Sequence, residues 1–365
     1  MQTWMDRLDA FFYKLEARLK LWPVGMMVGM LIYGLAMAYV SGEDFRPGPH
    51  GKQYMKISQA PFDFEASYEV SYRRLMPTLG YLIGLRGDRF LWLMALASMA
   101  IPASLYVHVR RAREFTPSGA LGSSLLLGLS TLLTIHFIAQ GYVDQGYYLA
   151  MLWAFLLVDR SYLSVLFMTL APLIHEATLV LWPAWALLFF LAQRKAQTHP
   201  LLIGVGVLCP LIIWLGVRMA LNQVVSAGFD FGFYFSEENL RVMLAQQLAF
   251  IPLAVFYTFK LGWLLPIQAI KLHLRGRNHW RVMALVLIFM GVSAQSLIAF
   301  DLGRLYSLAF PTVVLAMLDL YQQAEKKRVI DRRIWACFLL GLPLFTYYIA
   351  GYYVVPLLPW PLRSI

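Results

Sequence analysis

Ala171–Pro183 reads "APLIHEATLVLWP", with His175 and Glu176 side by side in a stretch that is otherwise apolar from Leu163 to Phe190. A polar pair at membrane depth is costly, so it needs a partner or a task. Whether the pair sits inside one long apolar helix or at a turn between two decides the topology.

Composition sets the class first. The chain has 365 residues, 60% of them hydrophobic and 14% charged, with a mean hydropathy of +0.61. Soluble domains carry roughly 25% charged residues. Apolar runs recur near the ~20-residue length that crosses a bilayer. These features predict an all-α polytopic membrane protein. Apolar runs at 21–41, 89–109, 119–140, 146–158, 161–174, 177–192, 201–221, 248–270, 282–300, 305–321 and 334–358 give about 11 transmembrane helices. The runs at 146–158 and 161–174 are short, and fit shallow or broken helices lining an enclosed cavity.

The net charge of +11 does not point to nucleic acid. Basic residues fall in short clusters between apolar runs, such as Arg110–Arg111, Arg194–Lys195 and Lys326–Arg328, as the positive-inside rule expects. This bias puts the N-terminus on the cytoplasmic side. Residues 1–20 place Trp4, Leu8, Phe11, Phe12, Leu15 and Leu19 at helical spacing, which predicts an amphipathic helix on the cytoplasmic surface. Residues 21–358 then form one transmembrane domain with outer loops at 42–88 and 222–247, and 359–365 are a short tail. The second outer loop carries a helix start near Ser236. Cys209 and Cys337 lie within apolar runs and read as packing residues. Charges throughout the first twenty residues argue against a cleavable signal peptide.

With this topology, "HE" falls at an outward turn. Asp144 and Gln145 in "QGYVDQGYY" fall at another, and Asp301 and Arg304 at a third. The long first loop, with Glu43, Asp44, His50, Asp63, Glu65, Glu69, Arg73 and Arg74, is on the same side. Cytoplasmic turns show ordinary Lys/Arg clusters and little else. Each element also has a structural reading: a local Asp301–Arg304 pair capping a helix, Asp144 as a cap, His175 as a satisfied structural histidine, and Arg73–Arg74 as interfacial anchors. Four such coincidences on one face are less economical than one shared site.

Arginines at that face can hold a phosphate bidentately. A carboxylate or histidine near an acceptor hydroxyl can take its proton. Aromatic residues such as Tyr54, Phe62, Phe64, Tyr68, Tyr72 and Phe233 suit a sugar ring or a lipid chain. No nucleophile elbow, P-loop, HExxH or CxxC competes.

The chain resembles the GT-C-fold integral membrane glycosyltransferases, especially small bacterial members. Those carry a first loop of the type D-G-x-x-Y, then Y-R-x-L-x-P, a K/H-E pair and a late D-x-x-R. Here these read "HGKQY" (His50 to Tyr54), "YRRLMP" (Tyr72 to Pro77), "HE" and "DLGR" (Asp301 to Arg304). The resemblance implies a GT-C-like fold and transfer of a sugar from a polyprenyl-(pyro)phosphate carrier to a glycan or lipid acceptor at the periplasmic face. His50 stands where the family has its aspartate base, so Asp44 or His50 is expected to deprotonate the acceptor. Arg73, Arg74 and Arg304 would hold the donor phosphate. Tyr54, Asp144, Gln145, His175, Glu176 and Asp301 would support the arginines, the sugar or a divalent cation (Mg2+ or Mn2+). The expected partners are the lipid-linked donor, the acceptor and the membrane, without nucleic acid. Two other readings stay open: a polymerase of lipid-linked repeat units, and a flippase or transporter. The last tends to show repeats and polar residues at the midplane, where this chain offers only Arg218 and Lys260.

Overall fold

The computed structural model describes residues 2–40, 47–64, 70–112, 115–225, 248–296, 301–344, 346–350 and 353–357, together with 236, 237, 241 and 245. The chain is helical almost throughout. Helix α1 (Gln2–Leu19) passes through Lys20, which turns the chain in the left-handed region at φ 70°, directly into α2 (Leu21–Val40). Two short helices follow, α3 (Pro49–Ile57) and α4 (Leu75–Leu82), before the long α5 (Phe90–Ala112). The bundle continues with α6 (Pro117–Gly128), α7 (Thr131–Ile138), α8 (Asp144–Leu156), α9 (Ser161–Ile174), α10 (Trp182–Lys195) and α11 (Pro200–Val224). It closes with α12 (Ile251–Phe259), α13 (Leu264–Arg275), α14 (His279–Gln295), α15 (Leu302–Ser307), α16 (Phe310–Gln323) and α17 (Lys327–Gly341).

Among the described residues, six segments are long and apolar enough to cross a membrane: Leu21–Ala38, Gly87–Arg111, Glu176–Lys195, Pro200–Val224, Ile251–Arg275 and Leu302–Gln323. The pair α6–α7, bent by 43° at its break, makes a seventh if taken as one span. The structure therefore shows six or seven spans among the described residues, where about 11 were expected. Helices α8, α9 and α14 fall short of the length a bilayer requires, as the sequence suggested for the first two. The expected span at 334–358 is not one helix. Helix α17 stops at Gly341, and an antiparallel hairpin follows, β1 (Thr346–Ala350) with β2 (Tyr353–Leu357), Thr346 facing Leu357. The cause is local: Pro343 interrupts the helix, and "TYYIAGYYVVPL" is rich in the aromatic and β-branched residues that favour extended chain.

Side-chain contacts gather polar groups at two ends of the bundle. One gathers the starts of α8, α10 and α15 with α3 and α4; the other gathers α1, the end of α5 and the start of α6. Helices α2 and α5 pack closely because a Cβ at Gly29 would lie 2.3 Å from the Met99 carbonyl oxygen. The most lipid-like surface is α11, whose span is only 11% buried. Helix α1 does more than lie on a surface. Met5 and Phe12 are buried, and it packs against α2 and α6. The helix expected near Ser236 and most of the 222–247 loop lie outside the described residues.

Candidate active site

Helix α9 ends at Ile174, and His175 takes an extended conformation (φ −156°, ψ 119°). Its Nδ1 accepts the Ala177 N–H at 3.1 Å, capping the tight turn Glu176–Leu181 that leads into α10. A helix start is electropositive, so Glu176 sits where a carboxylate is favoured. The opening stretch is thus a turn between two helices, with both side chains used.

Glu176 meets Arg73, which comes from the loop before α4. The Arg73 Nε donates to both carboxylate oxygens (3.1 and 3.0 Å), and its Nη2 bonds Oε1 as well. Its remaining nitrogen, Nη1, lies 3.4 Å from the Tyr54 hydroxyl on α3. A second pair has the same form. Arg304, in the first turn of α15, donates from Nε and Nη2 to the two oxygens of Asp144 at 2.6 and 2.8 Å. Its Nη1 lies 3.5 Å from Asp301, which also caps α15 by accepting the Arg304 N–H at 3.1 Å. Asp301 therefore plays the local capping role that its spacing allowed. Asp144 does not cap α8, because its carboxylate turns to Arg304.

The two pairs belong to one cluster. Asp144 lies in the fields of Arg304, His175 and Arg73, and Tyr54 in those of Arg73, Glu176 and Asp144. Burial opposes ionisation of Asp144, which is 2% exposed, but Arg304 outweighs it and holds the carboxyl below its usual range. Burial pushes the Tyr54 phenol up to about 12, so it stays a hydroxyl. Burial, reinforced by Arg73, pushes His175 down to about 3 and keeps the imidazole neutral.

Helix α3 reaches this cluster by close docking on the 139–143 turn. Gly48 donates to the Gln140 carbonyl at 3.3 Å, and a Cβ at Gly51 would lie 2.0 Å from that oxygen. Facing it, Gly141 adopts φ 81°. This contact brings His50 to 5.5 Å from the Tyr142 ring, with the Arg304 guanidinium 4.5 Å from the same ring.

Of the residues expected from sequence, Tyr54, Arg73, Asp144, His175, Glu176, Asp301 and Arg304 come together, with His50 at the edge beside Tyr142. Two do not take the expected place. Arg74 turns away from the cluster: it is 6% exposed and donates to the carbonyls of Ser71, Pro61 and Asp63, pinning the first loop. Adjacent residues in extended or turn conformation point apart, so one arginine of the "RR" pair serves the cluster and the other its own loop. Gln145 is likewise structural, donating from Nε2 to the Leu132 carbonyl at 3.0 Å. Asp44 lies outside the described residues. Sequence reasoning missed Tyr142 and Tyr147, whose ring lies 5.0 Å from His175. Arg218 on α11, which the sequence offered only as a mid-span cation, stacks 3.5 Å over Tyr72 within the fields of Glu176 and Arg73. The signal for the tyrosines was present in "GYVDQGYY", where Tyr142 stands two residues before Asp144 and Tyr147 one helical turn after it. No family model, curated protein or solved structure matches the chain.

Chemically, each guanidinium grips its carboxylate through the Nε/Nη2 edge and leaves the Nη1 edge to long contacts. Those edges can accept a stronger acceptor, such as a phosphate oxygen. Among the described residues, no group of three or more His, Cys, Asp or Glu side chains could hold a metal ion.

Proposed function

We propose that the chain is a membrane glycosyltransferase that moves a sugar from a polyprenyl-(pyro)phosphate carrier to a glycan or lipid acceptor, with the clustered end of the bundle facing the extracytoplasmic side. The observation that carries this reading is the pair of arginines, each oriented side-on by a carboxylate, Asp144 buried and Glu176 half-buried, beside tyrosines and next to apolar helices. Fixed carboxylates hold both guanidiniums in place before substrate arrives, so little reorganisation accompanies the reaction. In this mechanism the Nη1 edges of Arg73 and Arg304 take the donor phosphate and stabilise the charge that grows on it as the sugar departs. Tyr142 offers a ring face for the sugar, and Tyr54 a hydroxyl donor. His50, half-buried on α3, or Asp44 takes the proton of the acceptor hydroxyl. The half-buried Arg218 brings a third guanidinium on the most lipid-exposed helix, the side from which a polyprenyl chain would approach.

The test is alanine at Arg304, and separately at Asp44 and His50, with transfer measured in membranes containing lipid-linked sugar. Loss of transfer at Arg304 and at one of the two base positions, with normal amounts of protein, is expected. Full activity in all three variants overturns the assignment.

A further inference from the structure

Beyond binding a phosphate, the cluster contains one group whose chemical form is set by the backbone. The His175 Nδ1 accepts a hydrogen bond from the Ala177 N–H, and an imidazole nitrogen that accepts cannot carry a proton. The ring hydrogen must then reside on Nε2, at the far side of the ring. A protonated imidazolium would have to break that cap, since Nδ1–H would face N–H. The groups around the ring are Arg73 and Arg304, Glu176 (3.9 Å from Nδ1) and Asp144, with the Tyr147 ring packed against it. Asp144 and Glu176 are already engaged by Arg304 and Arg73.

From this geometry we infer that His175 acts as a fixed, neutral Nε2–H donor to a phosphate oxygen of the bound lipid-linked sugar, and is neither the base nor a cation. Its position in the turn between α9 and α10 holds the ring rigidly, because the same turn's Thr178 hydroxyl bonds the His175 carbonyl at 3.0 Å. A neutral donor adds a hydrogen bond without adding charge to a cluster in which Arg73 and Arg304 face Asp144, Glu176 and Asp301. It also leaves proton abstraction to a residue outside the turn. The inference rests on the proposed function for the identity of the oxygen, and on the cap alone for the tautomer.

The two parts separate experimentally. Nitrogen-15 NMR of histidine-labelled full-length protein in detergent, assigned by comparison with His175→Gln, needs no substrate. The expected result is an Nε2–H tautomer that persists from pH 5 to 8. An Nδ1–H tautomer or an imidazolium in that range overturns the inference. Titration with decaprenyl phosphate then tests the donor. His175→Gln, whose amide NH2 reaches as far as Nε2, should retain affinity, whereas His175→Asn should lose about tenfold, the usual effect of one hydrogen bond to a charged acceptor. Equal affinity in both variants overturns the donor role. If wild-type protein itself does not bind decaprenyl phosphate while the tautomer is as expected, the functional reading fails and the donor role with it, but the fixed tautomer stands.

Discussion

At one end of the bundle Arg73 and Arg304 grip Glu176 and Asp144. At the other, Arg110 grips Glu16, Arg328 reaches Asp9, and Arg281 closes with His273 on Asp319. Ion pairing and burial are alike at the two ends, so neither marks function by itself. The difference lies in what the paired groups also meet. Glu16 also accepts from Tyr106 at 2.7 Å, and the Arg110 Nη1 donates to the Phe115 carbonyl at 2.5 Å. Asp9 caps α6 by accepting the Ser118 N–H at 2.6 Å, and Asp319 serves His273 and Arg281 at 2.9 and 2.8 Å. These side chains stitch α1, α5, α6, α13, α14, α16 and α17 together. Among the described residues, the Nη1 atoms of Arg73 and Arg304 have hydrogen-bond or ion-pair contacts only at 3.4 and 3.5 Å. Arg281 shows the same side-on grip on Asp319, so the ends differ in that two such arginines share one cluster with Tyr54 and His175.

The sharpest way to break this comparison is Arg304→Ala. It strands Asp144, which is 2% exposed, and should destabilise the protein by ~3–5 kcal/mol while abolishing transfer. The double variant Arg304→Ala/Asp144→Ala should recover much of the melting temperature and none of the activity. Recovery of both would make the pair a mere rivet. At the opposite end, Asp319→Asn should cost ~3 kcal/mol, because Arg281 loses its carboxylate, yet leave activity per folded molecule unchanged. A specific loss of turnover there would erase the distinction between the ends. Next in size, Gly51→Ala should cost about 1–3 kcal/mol, since its Cβ would enter the Gln140 carbonyl. It should also lower activity by displacing α3 and His50, and thermal unfolding with a transfer assay checks both.

The smallest effect is one of sign. Burial raises Asp331, which is fully buried at the opposite end and bonded to Thr116 at 2.9 Å, to about 6. A carboxyl raised in the fold stabilises it fully below the unfolded value near 4, and that contribution is lost as pH climbs through 6. His175, lowered to about 3, acts in the opposite direction: stability falls as pH drops from about 6.5 towards 3, because only the unfolded chain takes the proton. Asp331→Asn should therefore gain on the wild type by about 2 °C in melting temperature between pH 5 and 7. His175→Gln should gain on it between pH 6 and 4.

How much of this was legible in the sequence depends on range. Helical class, the helix Gln2–Leu19 and the turn at His175–Glu176 follow from local spacing and composition. The partner of Glu176 does not. Arg73 is 103 positions away, and nothing local distinguishes it from Arg74, whose guanidinium serves its own loop. Span counting failed where apolar content outruns helical length. Apolar residues bury a hairpin or a short helix as readily as a membrane crossing, so 334–358 read as one span. The opposite end looked like plain basic turns because Glu16, Asp9 and Asp319 lie within helices other than those of the arginines they meet.

The hairpin Thr346–Leu357 constrains its own surroundings. Its first strand lies against α7, α12 and α15, and among the described residues its second strand pairs only with the first. An outer strand edge carries a row of amide and carbonyl groups that hydrocarbon cannot solvate. That edge must lie at the water boundary or beneath covering protein, and it constrains what can surround α15, the helix of Arg304, on the side where β1 packs.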